Sequence, residues 1–182
     1  IAGNVATDQA VRDLSDWGAD VVKVGIGQGS PCTTKDKTGF TMPMFSCTQK
    51  CSGLYSGDFV EGSEKKIPII ADGGIKCNGD IAKAIVAGAN MVMAGGLFAA
   101  CTDSPAVPST INDVPHKAYF GSASAENKGH NNNVEGKLTN ISCNNMTYEQ
   151  KLNEITQDLQ SSISYAGGNN LESLQNVDYN LV

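Results

Sequence analysis

Across 182 residues the sequence contains one arginine, Arg12, and two histidines, His116 and His130. Lys and Arg together number 13 against 19 acidic side chains, the net charge is −6, and the one adjacent basic pair is Lys65-Lys66. Phosphate contacts need concentrated positive charge, so nucleic acid is excluded as the main partner. Long apolar runs are missing too. The most apolar stretch, Ala84 to Cys101, is interrupted by Asn90 and three glycines, which excludes a membrane span. No charged segment leading into an apolar one opens the sequence, so no secretory signal is visible and a cytoplasmic protein is expected. The six cysteines (32, 47, 51, 77, 101 and 143) are scattered; they read as reduced thiols rather than a disulfide framework. What is abundant is glycine, 20 residues, alongside 40% hydrophobic content. That balance fits one α/β domain able to bury a core.

The order of elements carries the architecture. Ile1 to Val5 reads as the end of a strand. Thr7 caps a helix with Val11, Leu14 and Trp17 on its apolar side, ended by Gly18. Ala19 to Ile26 is a β-branched run suited to a buried parallel strand. A glycine-rich loop follows at 27–34, then a short helix around Phe45 to Leu54 and a polar loop from Gly57 to Lys66. Ile67 to Ala71 is the next strand, Gly79 to Ala87 a helix, and Asn90 to Ala94 a strand running into Gly95-Gly96. Alternation with glycines at each strand's C-terminal end argues for parallel βαβ units. Residues 102–146 are rich in Ser, Thr, Asn and Pro and read as an irregular segment, of the kind that is functional when it sits in a compact domain. Thr147 and Gln150 form a capping box opening a helix with Leu152, Ile155, Leu159 and Ile163 as its stripe, closed by Gly167-Gly168.

Ligands of parallel α/β proteins bind at the C-terminal strand ends, and three signals lie there. Cys32, beside Thr33 and Thr34 in a glycine-rich loop, is a candidate nucleophile, since an exposed thiol with polar neighbours can supply thiolate; the alternative is a small buried cysteine. Asp72-Gly73-Gly74 and Gly95-Gly96 close successive strands, where adjacent backbone amides make an anion pocket. Asp72 there could take the vicinal hydroxyls of a ribose, unless these glycines only permit tight turns. Cys47 and Cys51 share a helix face at metal-ligand spacing, but with so few histidines a zinc site is not expected. Ser161, Ser162, Ser164 and Tyr165 could offer hydroxyls where the last helix ends.

Taken together, Gly27-Gln28-Gly29-Ser30-Pro31-Cys32-Thr33-Thr34, Ala71-Asp72-Gly73-Gly74-Ile75, Gly79 to Ala84, and Met91-Val92-Met93 followed by Gly95-Gly96 resemble the IMP dehydrogenase and GMP reductase superfamily. Phe120 to Ser124, Val134 to Lys137 and Leu159 to Gly168 resemble its GMP reductase branch. The resemblance spans nearly the whole chain and implies a (β/α)8 TIM barrel. Residues 1–101 would be its second half, 102–146 a mobile flap, and 147–182 a helix and tail completing the same domain. Ile1-Ala2-Gly3-Asn4 matches the end of the fifth barrel strand. The inward side chains (Val22, Val24, Ile69, Met91 and Met93, or their neighbours) would then lack the facing half of the barrel core.

The function implied is reductive deamination of GMP to IMP and ammonia by NADPH through a covalent thioimidate. Cys32 is the implied nucleophile, and Thr34 with Glu135 the pair that manages the proton. The resemblance assigns Asp72, Gly73, Gly74, Gly95, Gly96, Gly121 and Ser122 to GMP. It assigns Ser161, Ser162, Ile163 and Ser164 to the dinucleotide, reached from a neighbouring subunit of a homotetramer. The backbone carbonyls of Gly27, Gly29 and Cys32 are assigned to K+. Two alternatives remain. IMP dehydrogenase hydrolyses the same intermediate with an Arg-Tyr pair in its flap, whereas residues 102–146 contain no arginine. A non-catalytic purine-nucleotide-binding fragment is the third reading. Pro31, standing where the family has a small or branched residue, biases Ser30 away from helical angles.

Overall fold

The computed structural model describes residues 1–53 and 67–180. Leu54, at the end of the helix expected around Phe45 to Leu54, and the polar loop from Gly57 to Lys66 fall outside the described residues. The N-terminal part alternates strands and helices. In chain order these are β1 (Ala2–Val5), α1 (Asp8–Asp16), β2 (Val22–Val24), α2 (Thr34–Thr38), α3 (Met44–Cys51), β3 (Ile69–Asp72), α4 (Asn78–Val86), β4 (Met91–Met93) and α5 (Gly96–Ala99). The four strands form one parallel sheet in the order β1-β2-β3-β4. Among the described residues this sheet is not closed into a barrel.

Burial tells which face is which. Val22, Val24 and Ile69 are almost fully buried and pack with Val11, Cys47 and Cys51 of α1 and α3. They therefore lie on the helix-covered face, not on the inward face where they were expected. The opposite face follows from the parallel register that aligns Lys23, Ile70 and Met91, with Asp72 beside Met93 one step on. There Met91 and Met93 stay about half exposed. For β2 and β3 the expectation was out of phase by one residue, while Met91 and Met93 of β4 do lie on the inward face; strands apolar on both faces carry no alternation to set the phase. Trp17 also departs from its expected place. It caps α1 beyond the last turn, donating its N–H to the Asp13 carbonyl at 3.0 Å, and stands 80% exposed.

Residues 102–146, expected to be irregular, instead hold an antiparallel sheet of β5 (Val107–Ile111), β6 (Val114–Tyr119) and β7 (Thr139–Ser142), with the short helix α6 (Ala125–Lys128) between the last two. Asn112 and Asp113, both at positive φ (49° and 62°), make the two-residue turn whose twist matches paired strands. Lys117 is buried beneath this sheet, where the carbonyls of Thr102 and Ser104 and the Ser104 hydroxyl take its ammonium at 2.9–3.1 Å. Three acceptors satisfy all three of its protons, and so tie β6 to the end of α5.

The helix α7 (Tyr148–Tyr165) opens on the expected capping box: the Thr147 hydroxyl accepts the Gln150 N–H, and the Gln150 side chain accepts the Thr147 N–H. Ile155, Leu159 and Ile163 pack against Ile81 and Ile85 of α4. The tail folds back as a 3-10 turn, Leu171–Asn176, whose Leu174 joins that same cluster. Beyond it, the Tyr179 ring lies edge-on to Phe45 at 5.1 Å and its hydroxyl accepts from Gln49.

Candidate functional site

The loop after β2 is shaped by close approach. Gly25 has φ +128°, and a Cβ there would come within 2.4 Å of the Asp72 carbonyl oxygen, so the strand end admits only glycine. The chain then turns tightly, with the Cys32 N–H on the Gly29 carbonyl at 2.9 Å, and enters α2 at Thr34. This leaves Cys32 half-buried at the rim of a cleft rather than sunk in the core.

A second segment, 101 residues further along the chain, lies against this loop. The Thr33 N–H donates to the Glu135 carbonyl and the Lys137 N–H to the Pro31 carbonyl, each at 2.8 Å. Lys37 adds a bond to the Val134 carbonyl. Behind, the Glu135 N–H reaches the Ala123 carbonyl at 3.1 Å, and a Cβ on Gly136 would press to 2.9 Å from the Ser124 nitrogen. Within this frame the Cys32 thiol donates to the Thr34 hydroxyl at 3.2 Å, and that hydroxyl donates to Glu135 Oε2 at 2.6 Å. A nucleophile, a relay hydroxyl and a carboxylate thus stand in one hydrogen-bonded line, the geometry proton transfer requires.

The cleft itself holds about 260 Å³, and its walls include Asn4, Gly29, Cys32, Asp72, Gly121 and Ser122. Gly73, also in the wall, and Gly74 carry φ of +99° and +76°. They let the chain turn at the end of β3 with the Gly73 N–H on the Met93 carbonyl at 3.3 Å. The Tyr119 hydroxyl sits directly over Gly95, at a distance no Cβ would allow. Burial, followed by the negative charge of Asp72, pushes the Tyr119 phenol above its ordinary range. A larger, apolar hollow of about 490 Å³ has Tyr119 in its wall, with Phe98, Pro105 and Tyr148.

Cys32, Thr34, Glu135, Asp72, Gly73, Gly121 and Ser122 are therefore brought together, whereas Gly74, Gly95 and Gly96 are not part of the cleft wall, and Gly95 lies under the Tyr119 hydroxyl. Ser161 to Ser164 are not brought to this cleft. They lie on α7, where the Ser161 and Ser162 hydroxyls bond back to the Gln157 and Asp158 carbonyls and Ile163 packs toward α4. Cys47 and Cys51 are buried and hydrogen-bond to each other, which lowers the first thiol and raises the second. No cluster of three or more metal-ligating side chains occurs among the described residues, and none of their helices is long and apolar enough to cross a membrane. All six cysteines are free.

Three residues of the cleft region escaped the sequence reading: Asn4, Lys23 and Tyr119. Lys23 left one signal, a lone charge inside Val-Val-Lys-Val, where burial of an unpaired ammonium is costly and a partner is implied. Asn4 donates to the Gly25 carbonyl and to Asp72 Oδ2, each at 2.9 Å.

Comparison with known proteins gives the family. Residues 1–181 match the model of the IMP dehydrogenase / GMP reductase domain. The chain is 48% identical over 184 residues to a GMP reductase of Oenococcus oeni, covering 100% of this chain and 54% of that protein. To a GMP reductase of Mesoplasma florum it is 49% identical over 181 residues, covering 98% and 53%. It thus spans about half the length of the curated relatives it matches. Among solved structures it resembles a cysteine-to-alanine variant of GMP reductase from Trypanosoma brucei in complex with guanosine 5′-monophosphate. That likeness has a TM-score of 0.83 at 30% identity, over 96% of this chain and 36% of that one.

Proposed function

The chain belongs to the IMP dehydrogenase / GMP reductase domain family, and we propose that, within the complete polypeptide, it supplies the nucleophile and proton-handling groups of an NADPH-dependent GMP reductase. The observation that carries this reading is the Cys32–Thr34–Glu135 line at the edge of a cleft that also presents Asp72. Cys32 gives up its proton along that line and attacks C2 of the guanine ring. The exocyclic amine leaves as ammonia, taking a proton that the Thr34–Glu135 pair manages, and Cys32 remains bound to C2 as a thioimidate. Splitting one displacement into two steps is the gain from covalent attachment. NADPH, when bound, supplies the hydride to C2, and the Cys32 sulfur then departs as thiolate and is reprotonated.

Asp72 receives the ribose hydroxyls in this reading, while Gly73, Gly74, Gly95, Gly96, Gly121 and Ser122 hold the rest of the nucleotide. The carbonyls of Gly27, Gly29 and Cys32 suit a large monovalent cation such as K+: they are hard oxygen donors, and Gly29, though it accepts the Cys32 N–H, keeps a second lone pair. For the dinucleotide we assign Ser161 to Ser164, shared with a neighbouring subunit; the exposure of Ser164 and of Tyr165 (95%) leaves this end of α7 open to such a contact. A homotetramer in the cytoplasm is the setting we infer.

The absence of arginine from 102–146 favours this reading over IMP dehydrogenase. The test is whether the complete polypeptide consumes NADPH with GMP, reduces NAD with IMP, or does neither, the last outcome leaving a non-catalytic nucleotide-binding protein. Cys32→Ala should abolish turnover while GMP still binds; more than a tenth of wild-type activity would overturn the assignment.

A further inference from the structure

We propose that Lys23 is a positioning residue that, with Asn4, fixes Asp72 so that one carboxylate oxygen is presented to the ribose diol. The proposal rests on reading the cleft as a purine-nucleotide site. Lys23 and Asp72 are the only charged residues in the four parallel strands. The register that aligns Lys23 with Ile70 puts Asp72, two residues on, on the same sheet face. Lys23 Nζ lies 2.5 Å from Asp72 Oδ2, and Asn4 Nδ2 donates to that same oxygen at 2.9 Å. Three strands thus converge on one atom, and none of the described residues donates to the other, Oδ1. The second Asn4 bond, to the Gly25 carbonyl at 2.9 Å, anchors Asn4 to the start of the nucleophile loop.

The two ends of this network have different surroundings. Asp72 and Asn4 line the cleft, whereas Lys23 does not; the other hydrogen-bond partner of its ammonium among the described residues is the Met93 sulfur at 3.7 Å. Lys23 therefore acts through Asp72 and not on the ligand. A carboxylate gripped by two donors at Oδ2 cannot rotate without breaking both, so Oδ1 stays aimed. Prior orientation of this kind is what converts a hydrogen bond into affinity. The competing account is that the ion pair merely ties β2 to β3, in which case it would contribute little that a ligand could sense.

The experiment compares GMP with 2′-deoxy-GMP by calorimetric titration of the complete polypeptide and its Lys23→Met variant, which keeps the aliphatic stem and loses the ammonium. Wild type should bind GMP roughly tenfold or more tightly than the deoxy analogue, the range of a hydrogen bond to a charged acceptor. In Lys23→Met the GMP affinity should fall by a similar factor, 2′-deoxy-GMP should change little, and the ratio should collapse toward one. Lys23→Arg should restore part of it, and in turnover the KM for GMP should rise more than kcat falls. A variant that keeps the wild-type ratio, or that weakens both ligands equally, overturns the proposal. Should Lys23→Met not fold, Lys23→Gln, a shorter uncharged donor, is read by the same ratio. A wild-type protein that binds neither nucleotide overturns the purine-nucleotide reading itself, an outcome distinct from a discriminating wild type whose variant also discriminates.

Discussion

Replacing Glu135 by glutamine changes one oxygen for an NH2 group and removes a charge, with almost no change in volume. The Thr34 hydroxyl now donates to a carboxylate at 2.6 Å, the length of a charge-assisted bond, and such bonds are roughly twice as strong as neutral ones. With an amide, Thr34 keeps at best a neutral acceptor, a ground-state loss of about 1 kcal/mol. The larger effect lies in the reaction. An amide neither takes up the thiol proton nor returns one to the departing amine, so kcat should fall by about 10²- to 10⁴-fold. Substrate binding should survive, because the bonds that seat this segment run through the main chain: Thr33 N–H to the Glu135 carbonyl, and Glu135 N–H to the Ala123 carbonyl. The Kd for GMP should therefore stay within about threefold, less than 1 kcal/mol. The assay pairs NADPH oxidation at saturating GMP with a direct binding titration. A kcat within tenfold of wild type, or a Kd rising by the same factor as kcat falls, would show the carboxylate to be a strut and refute the reasoning.

Two further substitutions test the frame. Gly136→Ala places a Cβ against the Ala123–Ser124 backbone, 2.9 Å from the Ser124 nitrogen and 3.1 Å from the Ala123 carbonyl carbon; the displacement of Glu135 that follows should cost about 10²-fold in kcat, and unchanged kinetics would show that the strand pairing is dispensable. Asp80, in the first turn of α4, is pushed up by burial, yet the N–H groups of Lys76 and Cys77 outweigh this and hold its carboxyl below the ordinary 3.8. A folded-state value below the unfolded one gives stability that is present above pH 3.8 and lost as pH falls through the lowered value. Asp80→Asn should accordingly lower the melting temperature at pH 7, by a loss of ~1 kcal/mol, and the gap from wild type should narrow below pH 3.8 and close as pH falls through the lowered value. An equal gap at both pH values would contradict it.

The strand ends were legible in the sequence because glycine at φ values such as +128° and +99° leaves a mark no other residue can replace. Cys32 and Thr34, two residues apart in one loop, could be named from residue types, but pairing them with Glu135 across 101 residues required the family resemblance. The facing of Val22, Val24 and Ile69 was not legible, since parallel strands are apolar on both sides. The sheet of 107–142 hid behind Pro108, Pro115 and a high Asn and Ser content. Its one local sign was Asn112-Asp113 between Ile111 and Val114, a hairpin signature weaker than the usual Asn-Gly. Lys23 shows the opposite case, a visible oddity whose partner lay 49 residues away.

The way Glu135 is seated has a consequence for how such a protein can vary. Its chain is stitched to the rest at two places, through Ala123 and Ser124 on one side and through Pro31 and Thr33 on the other. Between Ser124 and Val134 the chain makes an outward excursion, through the one-turn α6 and the exposed Asn131-Asn132-Asn133. Both feet of that excursion are pinned, so its length is free to drift: residues can be gained or lost at the crest without moving the carboxylate relative to the sulfur. Tolerance to insertion and intolerance to substitution thus meet within a dozen residues, with the boundary at Val134.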